Sequence, residues 1–458
     1  MPNIFLKFLI KLYIMKNKPL SSFKISRFIN EEAYGGVLLI IATIAALIWA
    51  NSSFYESYHH IWHEIKVGFA WGDLNMIGSL HHWINDGLMA LFFFVIGLEI
   101  KREIMGGELS SMKKASLPIA AAIGGMLIPA LFYVIVVMNY PEYLHGWGIP
   151  MATDIAFALG LLAMLGSRVP LNLKIFLTAL AIADDLGAVM VIAVFYTESI
   201  DYSELMYAAF FLAVLIAANF MGVRRTIFYA LVGFIGVWIA FIFSGVHATI
   251  AGVLIALTIP AKTKISENDY VKKLSVYLNK FKKEQPDNNS TLLTKEQVHL
   301  ISKIEELNDK AHTPLQKLEH ALHPVTAFFI LPVFALSNAG VHIDGSVIDM
   351  LIHPISLGII AGLIIGKFLG ISLLSRLVVR LKIASLPEGV SWQHIYGVAF
   401  LAGIGFTMSM FISDLAFKEE EFKQIAKVGI MAASLLSAII GMVWLSIGAE
   451  KRNKPKDQ

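Results

Sequence analysis

The chain of 458 residues is 57% hydrophobic and only 16% charged, with a formal charge of +3. Soluble domains average about 25% charged residues, and the mean hydropathy here is +0.67, which excludes a string of soluble domains. The absence of cysteine removes disulfide frameworks and thiolate chemistry.

In chain order, residues 1–30 read as a basic cytoplasmic segment. Lys7 and Lys11 interrupt its apolar run and no small-residue cleavage site follows, which argues against a removed signal peptide. Lys7, Lys11 and Lys18 recur near helical spacing, as in a basic amphipathic helix on an anionic membrane surface. One transmembrane domain, 31–450, then carries apolar runs near the ~20 residues that span a bilayer as helix. Twelve spanning segments are predicted, at 34–51, 80–103, 116–138, 142–164, 171–196, 203–221, 226–242, 245–260, 318–339, 356–377, 394–416 and 424–448.

Between the first two, "IKVGFAWGDLNMIG" holds two short alternating runs around "WGD", the pattern of a β-hairpin. Such a hairpin is marginal alone and leans on something, such as a second subunit. Just before it, "HHIWHE" (His59 to Glu64) imitates metal-ligand spacing without the HExxH order, and reads as an outer-loop cluster of histidines and aromatics. Residues 261–313 are polar and charged, a long connection that is partly helical. Residues 451–458 form a basic tail.

Lys and Arg accumulate on alternate loops, among them Lys101, Arg102, Lys113 and Lys114, then Arg224 and Arg225, then Arg376, Arg380 and Lys382. The positive-inside rule places these loops and both termini in the cytoplasm.

Charges inside a membrane cost about 2.5–3.5 kcal/mol each on insertion scales and mark function. Asp154, Asp184, Asp185 and Lys367 each lie well inside a predicted segment, roughly 15–20 Å deep and near the midplane. A structural ion-pair network explains Lys367 with one acid, but not three acids against one base. An uncompensated carboxylate in hydrocarbon binds a proton or a cation. Two segments carry helix breakers at this depth: Gly148 and Pro150 before Thr153 and Asp154, and Gly403 and Gly405 before Thr407 and Ser409. Irregular backbone is tolerated only where it lines a cavity or is buried in protein, and matching breaks in two halves point to a transporter with inverted repeats. Gly358, Gly362, Gly366 and Gly370 form a row of small residues that permits close helix approach beside Lys367.

The stretches "WINDGLMALFFFVIGLEIKRE", "ATDIAFALG", "LAIADDLGA", "SGVHATIAGVLI", "LEHALHP", "IIGKFLGIS" and "GIGFTMSMFI" closely resemble the bacterial NhaA-type sodium/proton antiporters, from about Glu32 to Ser446. The resemblance implies an all-α polytopic membrane protein. It would have twelve transmembrane helices with inverted repeats, two broken crossing helices and a small outer β-hairpin. It implies that Asp185 and Asp184 bind the transported sodium and protons, with Thr153 helping to ligate. Asp154 would balance the helix ends at the crossing, and Lys367 would pair with Asp184. It also implies an inner-membrane homodimer. The 261–313 loop is longer than the family's usual connection and leads into the stretch associated with pH sensing.

Glu99, Arg102 and Glu103 then fall at the cytoplasmic end of the second segment, where they face a funnel and tune pH response or serve as plain interfacial charges. Glu319, His320 and His323 carry the same two readings, since histidine titrates in the useful range and also caps helix ends. His247 reads as a packed histidine or a pH-responsive one, and Asp86 as an outer-mouth acid or a helix cap.

Adjacent buried acids explain the exchange chemistry. Protonated, the pair sits dry; ionised, it offers hard oxygens to a small dehydrated cation. Sodium or lithium and protons then compete for one seat, and an alternately exposed seat couples their movements. The expectation is electrogenic exchange that weakens at acid pH, with no cofactor and no nucleic-acid partner. Two rivals fit less well. A proton-coupled carrier of organic solutes would want an arginine near the midplane, and an intramembrane aspartyl protease would place its acids on different helices with a GxGD pattern that is absent.

Overall fold

The computed structural model describes residues 20–71, 74–197, 200–284, 292–342 and 346–453. The stretch with Lys7, Lys11 and Lys18, residues 72–73 of the hairpin and the tail from 454 lie outside the described residues. Among the described residues eight helices are long and apolar enough to cross a membrane. They are α2 (Leu80–Gly106), α3 (Met112–Val137), α5 (Leu171–Phe195), α6 (Tyr202–Phe220), α7 (Thr226–Ser244), α11 (Pro314–Asn338), α12 (Pro354–Arg380) and α15 (Glu420–Asn453).

Two bent pairs bring the number of spans to ten. One joins a 3₁₀ stretch, Pro141–Met151, to α4 (Ile155–Met164) at 45°; the other joins α13 (Trp392–Leu401) to α14 (Phe406–Ala416) at 47°. Two shorter apolar helices, residues 34–50 of α1 (Leu20–Ala50) and α8 (Ala248–Thr258), fall on the first and eighth predicted segments. Each predicted segment therefore meets a helix, and among the described residues up to ten spans are long and apolar enough to cross.

The first break falls at Thr153 and Asp154, just after the predicted breakers. Gly148 and Pro150 lie inside the 3₁₀ stretch, and the chain turns extended only at Ala152–Asp154. Thr and Asp side chains compete for nearby backbone groups, and Asp154 starts the next helix by accepting from Phe157 N at 3.0 Å. The predicted hairpin is present: β1 (Lys66–Trp71) pairs antiparallel with β2 (Leu74–Ser79), with Phe69 opposite Met76.

The chain divides into two compact units, Met1–Met89 with Gly106–Thr197 and Pro324–Gln458, and Ala90–Met105 with Glu198–His323. In the first, the glycine row of α12 finds its neighbours. Gly358 lies against Tyr133, Gly366 against Pro129 and Gly370 against the Gly124 backbone, all on α3, while Gly362 lies against Pro150. A Cβ on Gly370 would land on the Gly124 carbonyl. Gly370→Ala therefore forces the helices apart, an overpacking cost of about 1–3 kcal/mol. The melting temperature of the purified protein should drop; an unchanged melting curve would show that the contact is slack.

In the second unit, α7 ends where Gly245 takes φ 78°, a left-handed cap that glycine adopts without strain. The long connection folds as two helices, α9 (Glu267–Lys283) and α10 (Lys295–Ala311). Ser266 caps the first, and Thr294 with Gln297 forms a capping box on the second. Arg224 clamps the base of this pair, donating to Lys262 O at 2.8 Å and His312 O at 2.6 Å.

Candidate functional site

The two breaks meet in the first unit. Asp154 N donates to Ile404 O at 2.7 Å, joining the extended residues before α4 to the interruption between α13 and α14. The Asp154 carboxylate caps α4 through Oδ1, while Oδ2 accepts from Thr407 N at 3.2 Å and Thr407 Oγ1 at 2.5 Å. Thr407 lies in the first turn of α14. One buried carboxylate thus faces the N-terminal ends of two half-helices, where unsatisfied N–H groups carry partial positive charge. Ser409 Oγ donates to Ile149 O at 2.8 Å and fastens the same crossing from the other side.

Thr153 links this crossing to α5. Its Oγ1 lies 2.7 Å from Asp184 Oδ2 and 2.9 Å from Ala402 O, and its single proton serves one acceptor at a time. Lys367 Nζ donates to Asp184 Oδ2 at 2.5 Å, to Thr153 Oγ1 at 2.9 Å, and to Met151 O. The three donors of the ammonium are therefore accounted for. Asp184 and Lys367 are both fully buried, and Asp185 and Asp154 nearly so. Asp184 Oδ1 is buried with no hydrogen-bond partner, an oxygen left over after Lys367 and Thr153 have taken Oδ2. Buried oxygens of this kind are costly unless something binds them.

The chemistry open to this group follows from charge. Asp184 and Asp185 bring two carboxylates beside one ammonium in a dry setting, while Asp154 is occupied with helix ends. The surplus negative charge calls for a proton or a small cation. Carboxylate and hydroxyl oxygens suit a hard ion such as sodium and hold nothing that would favour a soft metal. Among the described residues no cluster of three or more His, Asp or Glu side chains is placed to hold a resident metal.

A second group gathers six of the other predicted residues in the second unit. Arg102 forms ion pairs with Glu319 and, at 2.8 Å, with Glu103. Glu99 and His323 are buried and act electrostatically on this pair, and exposed His320 follows Glu319 directly. His247 instead takes the N-cap position of α8.

Two buried charges escaped the sequence analysis: Asp414 in the last turn of α14 and Lys427 in α15, 3.4 Å apart. Both fall near segment ends, where a charge passes for an interfacial one. The signal, an acid in "FISDLAF" and a lysine in "QIAKVGI", was nevertheless there.

The family described as Na+/H+ antiporter 1 matches residues 26–445. The chain is 53% identical over 420 residues to "Na(+)/H(+) antiporter NhaA 1" of Psychromonas ingrahamii, covering 91% of this chain and 95% of that protein. It is 50% identical over 437 residues to "Na(+)/H(+) antiporter NhaA" of Oleidesulfovibrio alaskensis (94% and 95% covered), and 47% identical over 435 residues to the protein of that name in Helicobacter pylori (94% and 97% covered).

Proposed function

Because the chain belongs to the Na+/H+ antiporter 1 family, we propose that it expels cytoplasmic sodium or lithium in exchange for external protons. It does so electrogenically, as a multi-pass protein of the bacterial inner membrane. Both termini, the Arg102–Glu319 group and the α9–α10 pair face the cytoplasm; the hairpin and residues 55–64 face outward. The roles are sodium extrusion and pH homeostasis.

What supports this reading is the buried Asp184–Asp185 pair with one lysine beside two crossed broken helices. Asp185 and Asp184 are the cargo carboxylates, Thr153 adds a hydroxyl oxygen, Asp154 steadies the crossing and Lys367 balances Asp184. More than one proton enters for each sodium that leaves, so charge moves with each cycle. Falling pH loads the carboxylates with protons and shuts sodium out, so exchange is fastest at neutral to alkaline pH. Glu99, Arg102, Glu103, Glu319, His320, His323 and His247 set that pH response. The exposed Val67 and Phe69 on one face of β1 suit a homodimer contact.

The test is proton release. Sodium added to the purified protein in weak buffer at alkaline pH should eject protons, and sodium-loaded proteoliposomes should exchange them. Equal sodium binding across the acid range with no protons released would sink the shared seat.

A further inference from the structure

The histidines of "HHIWHE", unused by the exchange site, line up in the first unit with a buried polar cluster. Exposed His59 stacks on His63 with ring centroids 5.2 Å apart, and His63 lies over His81 at 4.7 Å. His81, at the start of α2, is mostly buried, with Nδ1 3.0 Å from Ser337 Oγ and Nε2 3.5 Å from Asp414 Oδ2. Asn85 donates to Asp414 Oδ2 at 3.1 Å, touches His81 Nε2 at 3.1 Å, and accepts from Asn338 at 3.1 Å. The row thus runs from the surface to an acid shared by His81 and Lys427.

We infer that His81, lying beneath His63 at the outer surface, is a second proton-binding site, one that opens the outer end of the transporter. The inference rests on the orientation and exchange proposed above.

The charge balance explains the effect. With His81 neutral, Nδ1–H points to Ser337, Nε2 accepts from Asn85, and Asp414 is matched chiefly by Lys427, with Lys423 farther off. A proton taken up at Nε2 from the outer solution displaces the Asn85 contact and turns Nε2–H toward Asp414 Oδ2, 3.5 Å away. Two cations then share one buried carboxylate, and the extra charge is relieved only by letting water in. That end of the bundle, tied by α2, α11, α14 and α15, loosens as it protonates.

His63 suits the middle position. Burial, then the neighbouring His81 and His59, hold its pKa down at about 4, so at neutral pH it adds no charge beside His81. The other charges facing the row are matched among themselves. Glu64 sits 2.7 Å from His60 and 3.3 Å from His59, His82 lies 3.4 Å from Asp86, and Glu420 pairs with Lys423 at 2.8 Å. Tyr58 donates to the backbone of Leu336 and Ser337 and anchors the histidine helix to α11.

The experiment measures sodium/proton exchange by the full chain in oriented proteoliposomes, at fixed inner pH, with outer pH varied from about 5 to 8, the window histidine covers. The parent should accelerate several-fold as the outside is acidified through this range. His81→Gln should flatten that limb, and His63→Gln, which removes the ring lying over His81, should shift its midpoint while leaving the buried cluster intact. If His81→Gln does not fold, His63→Gln decides alone. Parent-like profiles in both variants, with exchange intact, would overturn the inference and leave the proposed function standing. A parent that moves no protons for sodium would sink both.

Discussion

Asp185→Asn should abolish sodium-driven proton movement. Lys367 already stands 2.5 Å from Asp184 and neutralises it, so Asp185 supplies the surplus charge of the site. Asparagine keeps the shape and one oxygen but carries no charge for a proton to cancel or a sodium ion to match. Sodium affinity should fall at least about a hundredfold, roughly 3 kcal/mol, and exchange should sink to the level of empty liposomes. The fold should survive, since removing a buried charge costs little and can stabilise. Fluorescence dequenching in sodium-loaded vesicles reads the loss, with thermal unfolding as the control. Normal exchange by this variant would remove Asp185 from the ion path.

Lys367→Met has the largest expected effect on stability. It strips Asp184 of its ammonium, and it takes donors from Thr153 and Met151 at a fully buried position. Breaking a buried pair from one side costs about 3–5 kcal/mol. The melting temperature should fall by several degrees at alkaline pH. In acid a proton replaces the missing ammonium on Asp184, so the deficit should shrink as pH drops. The double variant Lys367→Met/Asp184→Asn removes both charges and should regain most of the loss. A double variant as unstable as the single one would mean that packing by the lysine stem, rather than charge pairing, holds this site.

The hairpin was legible because alternation has a period of its own, and the spans because hydrocarbon tolerates little else. The buried acids were legible for the same reason: in segments as apolar as "ALAIADDLGAVMVIAVFY" a carboxylate is conspicuous. Asp414 and Lys427 were missed because a charge near a segment end is ambiguous until the neighbouring helices are known to bury it. The first break was legible from Gly148 and Pro150 before Thr153 and Asp154, although a 3₁₀ helix takes in both breakers and the chain turns extended only after them. The histidine row was invisible for a similar reason: His59 and His63 are one helical turn apart, but His81 lies beyond a hairpin.

The sequence by itself determined the class of molecule, the apolar segments, the acids that no bilayer would accept without purpose, and the family. Tertiary structure alone decided which oxygen meets which charge: Lys367 with Asp184, Asp154 across to Thr407, Thr153 with Ala402, His81 with Asp414. Hydrophobic patterning acts along a chain and can be read from it. Pairing of buried charges depends on contacts between helices hundreds of residues apart, which only the packed bundle brings within a few ångströms.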